Sequence, residues 1–260
     1  MTLPLAGRSA IVTGGSAGIG LVTARALAQA GAGVAIVSRD QDRVVQAAGE
    51  LQEAVPGGEI LGLALDVRQE AAMDAMASAI LDRFGRIDIL VTAAGVLRAG
   101  SGLPRTLARM PEADWDEVMA TNLKGVYLAN RAVIPAMLHQ GAGQIVNLSS
   151  TSGLRGLAFD AAYCASKFGV IGLSSALAAE LAPAGIRVQA LLPGAIDTGM
   201  WDQNGPLLPP PDILPPERVA AAILELLLLP EDTVLDQPII EPLKRHGPLV
   251  GPGGRGGSTP

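Results

Sequence analysis

The chain has 260 residues, of which 49% are hydrophobic and 17% charged, and this composition excludes a disordered chain. Its 25 acidic and 19 basic residues give a net charge of −6, which argues against a nucleic-acid partner or an anionic membrane surface. The single cysteine predicts a protein without internal disulfides, and the lack of an apolar run of ~18 residues predicts no membrane span. Since the start also lacks an export pattern, we expect a cytoplasmic protein.

Short apolar segments alternate along the chain with longer helical stretches. Strands are predicted at 9–13, 34–38, 60–65, 87–92, 144–149, 187–192 and 237–240. Helices are predicted at about 18–30, 41–53, 69–84, 112–140, 161–182 and 216–229. Strands that are apolar without alternation are typical of sheets covered on both faces. The pattern predicts the α/β class, with a Rossmann-like doubly wound parallel sheet flanked by helices on both faces.

A glycine-rich turn joins the first predicted strand to the first helix. It runs Thr13-Gly14-Gly15-Ser16-Ala17-Gly18-Ile19-Gly20. Three of these glycines let the backbone approach a pyrophosphate closely, and the helix that follows directs free N–H groups at the anion. The GxxxGxG spacing differs from the GxGxxG dinucleotide fingerprint, so a tight turn without a ligand is the alternative interpretation.

The turn resembles the TGxxxGIG cofactor motif of the classical short-chain dehydrogenase/reductase family. Other motifs of that family follow in order across roughly residues 5–230: Asp66-Val67 after strand three, Thr92-Ala93-Ala94-Gly95 after strand four, Asn122, Ser150, Tyr163 with Lys167, and Pro193-Gly194. The resemblance implies that a nicotinamide dinucleotide binds to Gly14, Ser16, Gly18, Ile19, Gly20, Ser38, Arg39, Asp66, Val67, Ala93, Ala94, Gly95, Tyr163, Lys167, Pro193, Gly194, Ile196 and Thr198. Asp66 is expected to contact the adenine ring.

Tyr163 and Lys167 are four residues apart on a predicted helix and therefore share a face. An ammonium group beside a phenol favours the phenolate, so we expect a lowered pKa for Tyr163. The resemblance implies that Tyr163 donates a proton, that Lys167 tunes it and holds the nicotinamide ribose, and that Ser150 polarises the substrate carbonyl. It also implies that Asn122 supports a water linked to the lysine. Ser149 is the rival of Ser150, which the family's thirteen-residue spacing to the tyrosine favours.

The choice of cofactor depends on the end of the second strand. Ser38 stands where an acidic residue would bind the ribose 2′-hydroxyl, and Arg39 follows, which favours a 2′-phosphate and hence NADP. Asp40 could turn towards the ribose, so NAD stays possible. Two widely separated histidines and one cysteine predict no metal site.

The sequence leaves several functions open. The leading prediction is a carbonyl reductase acting on CH–OH groups, with a mostly apolar substrate suggested by Leu103, Met200, Trp201, Leu207 and Leu208 in the irregular segments 97–110 and 197–216. A 3-oxoacyl-[acyl-carrier-protein] reductase is the alternative, and it needs a basic docking patch such as Arg98, Arg105 and Arg109. A non-catalytic dinucleotide sensor is a lesser alternative, since the chain keeps all four catalytic-motif residues.

The predicted organisation is one catalytic, dinucleotide-binding domain at residues 1–246, with a substrate loop at about 197–216. Residues 247–260, mostly glycine and proline, are expected to form a disordered tail. The resemblance implies self-association through helices 112–140 and 161–182, which gives a homotetramer, with a dimer as the alternative. A small carbonyl or alcohol is the only other partner expected.

Overall fold

A computed structural model of the chain describes residues 2–100, 103–205 and 208–243. Leu207 and the predicted tail at 247–260 lie outside these residues. The architecture is one seven-stranded sheet with helices on both faces.

All strand pairs in the sheet are parallel, in the order β3-β2-β1-β4-β5-β6-β7. The strands are β1 Ser9–Thr13, β2 Gly33–Ser38, β3 Ile60–Ala64, β4 Ile89–Thr92, β5 Gly143–Leu148, β6 Ile186–Pro193 and β7 Ile239–Ile240. The chain order reverses between β1 and β4, so a crevice opens at the carboxyl ends of these two strands. The predicted doubly wound sheet is confirmed.

Seven α-helices cover the sheet within the described residues. They are α1 Gly18–Gln29, α2 Gln41–Ala54, α3 Glu70–Phe84, α4 Glu112–Met119, α5 Gly125–Gln140, α6 Ala161–Leu181 and α7 Pro216–Leu228. Successive residues of a strand point to opposite faces. Val34 and Ile36 of β2 accordingly pack with α1, α2 and α7, whereas Ala35 and Val37 pack with α3 and α5. Because an apolar core lies on each face of the sheet, consecutive residues of a strand are all buried, and the strand sequences are continuously apolar.

The helix predicted at 112–140 is interrupted by a π-helical segment, Ala120–Lys124, between α4 and α5. The helical pattern of apolar residues shows no break between 112 and 140, so the sequence alone predicts one helix. The segment contains Asn122, whose side chain both donates to and accepts from the backbone of Val96, at 2.8 Å each. Extra residues of this kind in a helix often occur at functional sites.

Helix α6 with the turn after it, Ala161–Ala184, is long and apolar enough to cross a membrane by length and composition, which the sequence argument did not expect. Core helices of α/β domains meet the same criterion, and α6 packs against β6. Its outer side is also apolar at Phe168, which is 47% exposed. The helix therefore has one face on the sheet and a second apolar face directed outwards.

Candidate active site

The residues predicted to bind a dinucleotide lie together at the carboxyl ends of the strands. The glycine turn follows β1, Ser38 ends β2, Asp66 and Val67 follow β3, Ala93 to Gly95 follow β4, and Pro193 ends β6. Ligands of open parallel sheets bind outside these strand ends, at the point where the strand order reverses. The structure thus brings together side chains that are more than 170 positions apart in the chain.

The turn after β1 forms a cradle that only glycine permits. Gly14 has a φ of +69°, and a Cβ added there would lie 2.6 Å from the backbone nitrogen of Ala94. A Cβ at Gly20 would collide with the carbonyl oxygen of Gly14. Gly18, with a φ of +51°, faces the side chain of Thr198, so the turn and the segment after β6 close on one space. The first turn of α1 carries no acidic residue, and the cradle fits a pyrophosphate.

The two charged residues after β2 have different partners. Arg39 forms an exposed ion pair with Glu117, with Arg39 Nη1 3.8 Å from Glu117 Oε1. Asp40 caps α2, because its carboxylate accepts a hydrogen bond of 3.0 Å from the backbone N–H of Arg43. A cap of this kind stabilises the helix start, so Asp40 is turned towards α2. Asp40 is therefore engaged at the start of α2, and Arg39 is engaged by Glu117.

Asp66, expected at the adenine, is held by a residue that the sequence argument did not single out. Arg68 donates to its carboxylate from Nε at 3.0 Å and from Nη2 at 2.6 Å. These bonds lower the pKa of Asp66 below its ordinary value, and burial only partly opposes them. Val67 lies against α5, since a Cβ at Gly125 would be 2.8 Å from its Cγ2. The sequence signal that could have revealed the contact is the spacing of Asp66 and Arg68, two oppositely charged residues two positions apart on a turn.

Ser150, Tyr163 and Lys167 converge where β5 ends and α6 begins. Ser150 is hydrogen-bonded to the Tyr163 hydroxyl, and Lys167 Nζ donates to the Leu148 carbonyl oxygen at 2.9 Å. The ammonium nitrogen lies 5.6 Å from the centre of the Tyr163 ring. Ser149 instead donates to the Lys167 carbonyl oxygen at 2.8 Å, which fixes α6 against β5. The contact with the phenol therefore belongs to Ser150.

The pKa of Tyr163 is raised, whereas the sequence predicted that it would be lowered. Burial raises the pKa of Tyr163 to about 12, and the Ser150 hydrogen bond lowers it only in part. Burial also lowers the pKa of Lys167 to about 8. The expected lowering of the Tyr163 pKa by the lysine is wrong for this structure, because desolvation is the largest influence on that pKa and the nearby Asp160 raises it further. Tyr163 consequently carries its proton at neutral pH.

Asn122 connects the π-helical segment to the rest of the site. Besides its two bonds to Val96, its amide nitrogen donates to Ser166 Oγ at 3.2 Å, and that hydroxyl donates to the Tyr163 carbonyl oxygen. Its side chain is fully buried. Asn122 therefore positions the loop after β4 against the helix that carries Tyr163.

One cavity of about 690 Å³ joins the cofactor residues to the Ser150–Tyr163–Lys167 group. Its walls are mostly apolar, with Pro104, Leu157, Phe159, Met200, Trp201, Pro210 and Pro211 among the lining residues. Four of the charged side chains in its wall form pairs, Arg98 with Asp160 and Arg155 with Glu241 at 3.6 Å, and Lys167 and Asp212 also line it. Of the apolar residues predicted to contact the substrate, Met200 and Trp201 line this cavity. Leu103 lines a smaller adjoining cavity, and Leu208 is 88% exposed.

The three arginines predicted as a docking patch for an acyl-carrier partner do not form one exposed basic surface. Arg98 is largely covered, with 12% of its side chain exposed, and it pairs with Asp160 and donates to Asn204. Arg105 pairs with Asp114, with Nη1 2.5 Å from Oδ2. Of the three arginines proposed from the sequence, Arg109 alone is exposed. The positive charges of Arg98 and Arg105 are compensated by ion pairs with Asp160 and Asp114.

Thr92, which stands where the family usually has asparagine, takes part in a buried polar network. Its hydroxyl donates to Asn147 Oδ1 at 2.8 Å, and the Asn147 amide donates to Ser174 Oγ at 3.0 Å. Asn130 donates to the same Asn147 oxygen at 2.9 Å. The network ties β4, β5, α5 and α6 together behind the site.

Comparisons with known proteins agree with this geometry. A sequence model of the family described as short chain dehydrogenase matches residues 8–206. The chain is 43% identical over 195 residues to the monensin polyketide synthase putative ketoacyl reductase of Streptomyces virginiae, a match covering 74% of this chain and 72% of the other.

Two solved structures share the whole architecture. The crystal structure of levodione reductase superposes with a TM-score of 0.83 at 30% identity, covering 91% of this chain and 97% of that one. A metagenomic short-chain oxidoreductase in complex with NADP gives a TM-score of 0.78 at 34% identity, covering 92% and 99%.

Proposed function

This chain belongs to the short-chain dehydrogenase/reductase family, a family of nicotinamide-dependent oxidoreductases, and we propose that it is an NADP-preferring carbonyl reductase for neutral, apolar ketones. One observation carries the proposal: a buried Ser150–Tyr163–Lys167 group opens into the apolar cavity that also reaches the cofactor residues. The retained group argues against a non-catalytic sensor. We further propose a cytoplasmic protein in which residues 1–246 form one catalytic domain, with its substrate loop at about 197–216.

The proposed chemistry uses each side chain in one role. A bound nicotinamide dinucleotide supplies the hydride, which is transferred to the carbonyl carbon of the substrate. Ser150 donates a hydrogen bond to the carbonyl oxygen, and Tyr163 transfers its phenolic proton to that oxygen as negative charge develops there. Burial, which keeps Tyr163 protonated, suits this donor role. The alcohol O–H forms as the phenol O–H breaks.

Lys167 and Asn122 support the same step from behind. Lys167 lies under the Tyr163 ring with its Nζ near the carboxyl end of β5, a position suited to the nicotinamide ribose. The lysine pKa of about 8 lets it return a proton to the tyrosine after each turnover near neutral pH. Asn122 holds the Val96 loop in place and, in the proposal, a water beside the lysine.

The substrate class follows from the charges of the cavity. Arg98 pairs with Asp160, and Arg155 lies 3.6 Å from Glu241. Lys167 and Asp212 add one charge of each sign, so the basic and acidic side chains of the wall are equal in number. A neutral ketone would lose little solvation energy there, whereas a free carboxylate would be left without a dedicated partner. The charge balance of the wall favours neutral ketones over free oxo acids, and the pairing of Arg98 and Arg105 within the fold argues against docking of an acidic carrier.

The proposed function is tested with a panel of carbonyl compounds. The purified protein is mixed with NADPH or NADH and with aliphatic ketones, aryl ketones, aldehydes or a 3-oxoacyl thioester, and loss of nicotinamide absorbance is followed. We expect the ketones to oxidise NADPH fastest. Turnover of the thioester alone would favour the acyl-carrier alternative, and a panel without any turnover would contradict the proposal.

Cofactor preference is tested at Arg39. Arg39→Ala removes the cation nearest the end of β2, and a charged contact to a phosphate contributes about 1.5–3 kcal/mol, so KM for NADPH should rise roughly 10- to 150-fold. KM for NADH should hardly change. Arg43→Ala is the matched control, since Arg43 is also exposed and, like Arg39, forms one ion pair, here with Asp40 at 3.5 Å. A wild-type preference for NADH would show that the assignment of Arg39 is wrong.

We also propose that the protein forms a homotetramer, with a dimer as the alternative. The support is an outward apolar surface on the helices implicated by the resemblance: Tyr127 and Leu138 on α5 and Phe168 on α6 are each close to half exposed. Burying such side chains against a second copy is favourable by about 25 cal/mol per Å². Light scattering at micromolar concentration should give about four chain masses, and Phe168→Glu should lower that mass. A wild-type monomer would contradict the proposal.

A further inference from the structure

Phe159 has a backbone conformation that bulky residues avoid. Its φ is +70°, and it is one of two non-glycine residues with positive φ in the part of the chain that the structure describes. The left-handed region brings Cβ close to the backbone, so a bulky side chain there is a genuine outlier. Strain of this kind persists where the surroundings impose it, often at functional sites.

Burial does not compensate for this strain, because 51% of Phe159 is exposed. The turn that carries it is held at both ends: Asp160 is bound by Arg98, and the Leu157 N–H donates to Cys164 Sγ at 3.3 Å. Helix α6 begins two residues after Phe159. The backbone of the turn is consequently held by contacts in which the Phe159 ring takes no part.

Phe159 lies at the wall of the proposed substrate space. Phe159 lines the 690 Å³ cavity that contains Ser150 and Tyr163, and it also lines a smaller adjoining cavity beside Leu103 and Met110. Leu157, 47% exposed, adds a second apolar side chain from the same turn. Aromatic faces bind flat apolar groups through offset or edge-to-face contacts.

We propose that Phe159 is a specificity-determining residue that favours carbonyl substrates with an aromatic or bulky apolar substituent over small ones. The proposal rests on the proposed function and refines it. The carbonyl oxygen is held by Ser150 and Tyr163, and the larger substituent lies against the Phe159 ring. The strained backbone is then the cost of presenting an aromatic surface to the substrate.

The test compares Phe159→Gly with Gln237→Gly. Gln237, with a φ of +49°, is the other strained position and does not line the substrate cavity. Glycine adopts positive φ freely, so neither variant should lower Tm. Phe159→Gly should lower kcat/KM for acetophenone at least ~10-fold relative to acetone, the order of magnitude of a lost apolar pocket contact. Phe159→Leu should give an intermediate ratio, and Gln237→Gly should leave the ratio unchanged.

An unchanged acetophenone-to-acetone ratio in Phe159→Gly would overturn the proposal. So would a fall in Tm with equal losses for both ketones, because a structural role alone explains that result. If wild-type protein turns over neither ketone, the proposed function fails, and calorimetric binding of acetophenone to the NADP-loaded protein decides the present proposal. Binding at least ~10-fold weaker in Phe159→Gly supports it, and equal or undetectable binding in both proteins overturns it.

Discussion

Tyr163→Phe should lower turnover by ~10²–10⁴-fold, the range expected for the loss of general acid catalysis. Phenylalanine keeps the ring and its packing on α6, so the variant should fold normally and bind cofactor with unchanged affinity. It lacks only the hydroxyl that bonds to Ser150 and donates the proton. Both kcat and kcat/KM should fall together, because the lost interaction acts in the transition state.

The chain offers a matched control for this substitution, since it contains two tyrosines. Tyr127 lies on α5, is 47% exposed and does not line the cavity. Tyr127→Phe should therefore retain wild-type turnover. Near-wild-type turnover of Tyr163→Phe on the best ketone would remove the basis of the proposed mechanism.

Lys167→Met should change how stability depends on pH, in addition to impairing turnover. Burial lowers the pKa of Lys167 from its ordinary 10.5 to about 8. Between these values the unfolded chain binds more protons than the folded one, so wild-type stability rises with pH across this window. The penalty for burying the charge is fully present below pH 8 and amounts to roughly 3 kcal/mol.

Methionine carries no charge, so the variant lacks this pH dependence. The difference in unfolding free energy between Lys167→Met and wild type should shift by roughly 3 kcal/mol in favour of wild type as pH rises from 8 to 10.5. Lys124→Met is the control, because Lys124 is exposed in the π-helical segment, and its difference should stay constant. Denaturant unfolding of the cofactor-free proteins measures both. A constant difference for Lys167→Met would show that the lysine is not desolvated as described.

Local patterns accounted for the sheet and for most of the site. Strands covered on both faces, such as β1, leave continuous apolar runs that stand out from the helices around them. Once the strands are known to be parallel, every residue just after a strand end must lie at one edge of the sheet. Gly14, Ala93 and Pro193 could be grouped on that basis alone.

The contacts that sequence reasoning missed are long-range or depend on burial. Arg98 binds Asp160 and Asn204, which are 62 and 106 positions away, so no local pattern announces the pair. The spacing of Tyr163 and Lys167 indicated proximity correctly. It could not reveal that both groups are buried, and burial reverses the sign of the expected shift in the tyrosine pKa. The π-helical segment at Asn122 likewise depends on a partner in the loop after β4.

The central claim is that Tyr163 exchanges the proton with the substrate oxygen. The most direct test is the pH–rate profile for oxidation of the best alcohol by wild type and by Tyr163→Phe. Oxidation requires the tyrosine to accept a proton, so the wild-type rate should rise with pH above neutrality as the phenol ionises. The residual rate of Tyr163→Phe should lack that rising limb. The same limb in Tyr163→Phe would assign the proton transfer to another group and contradict the account.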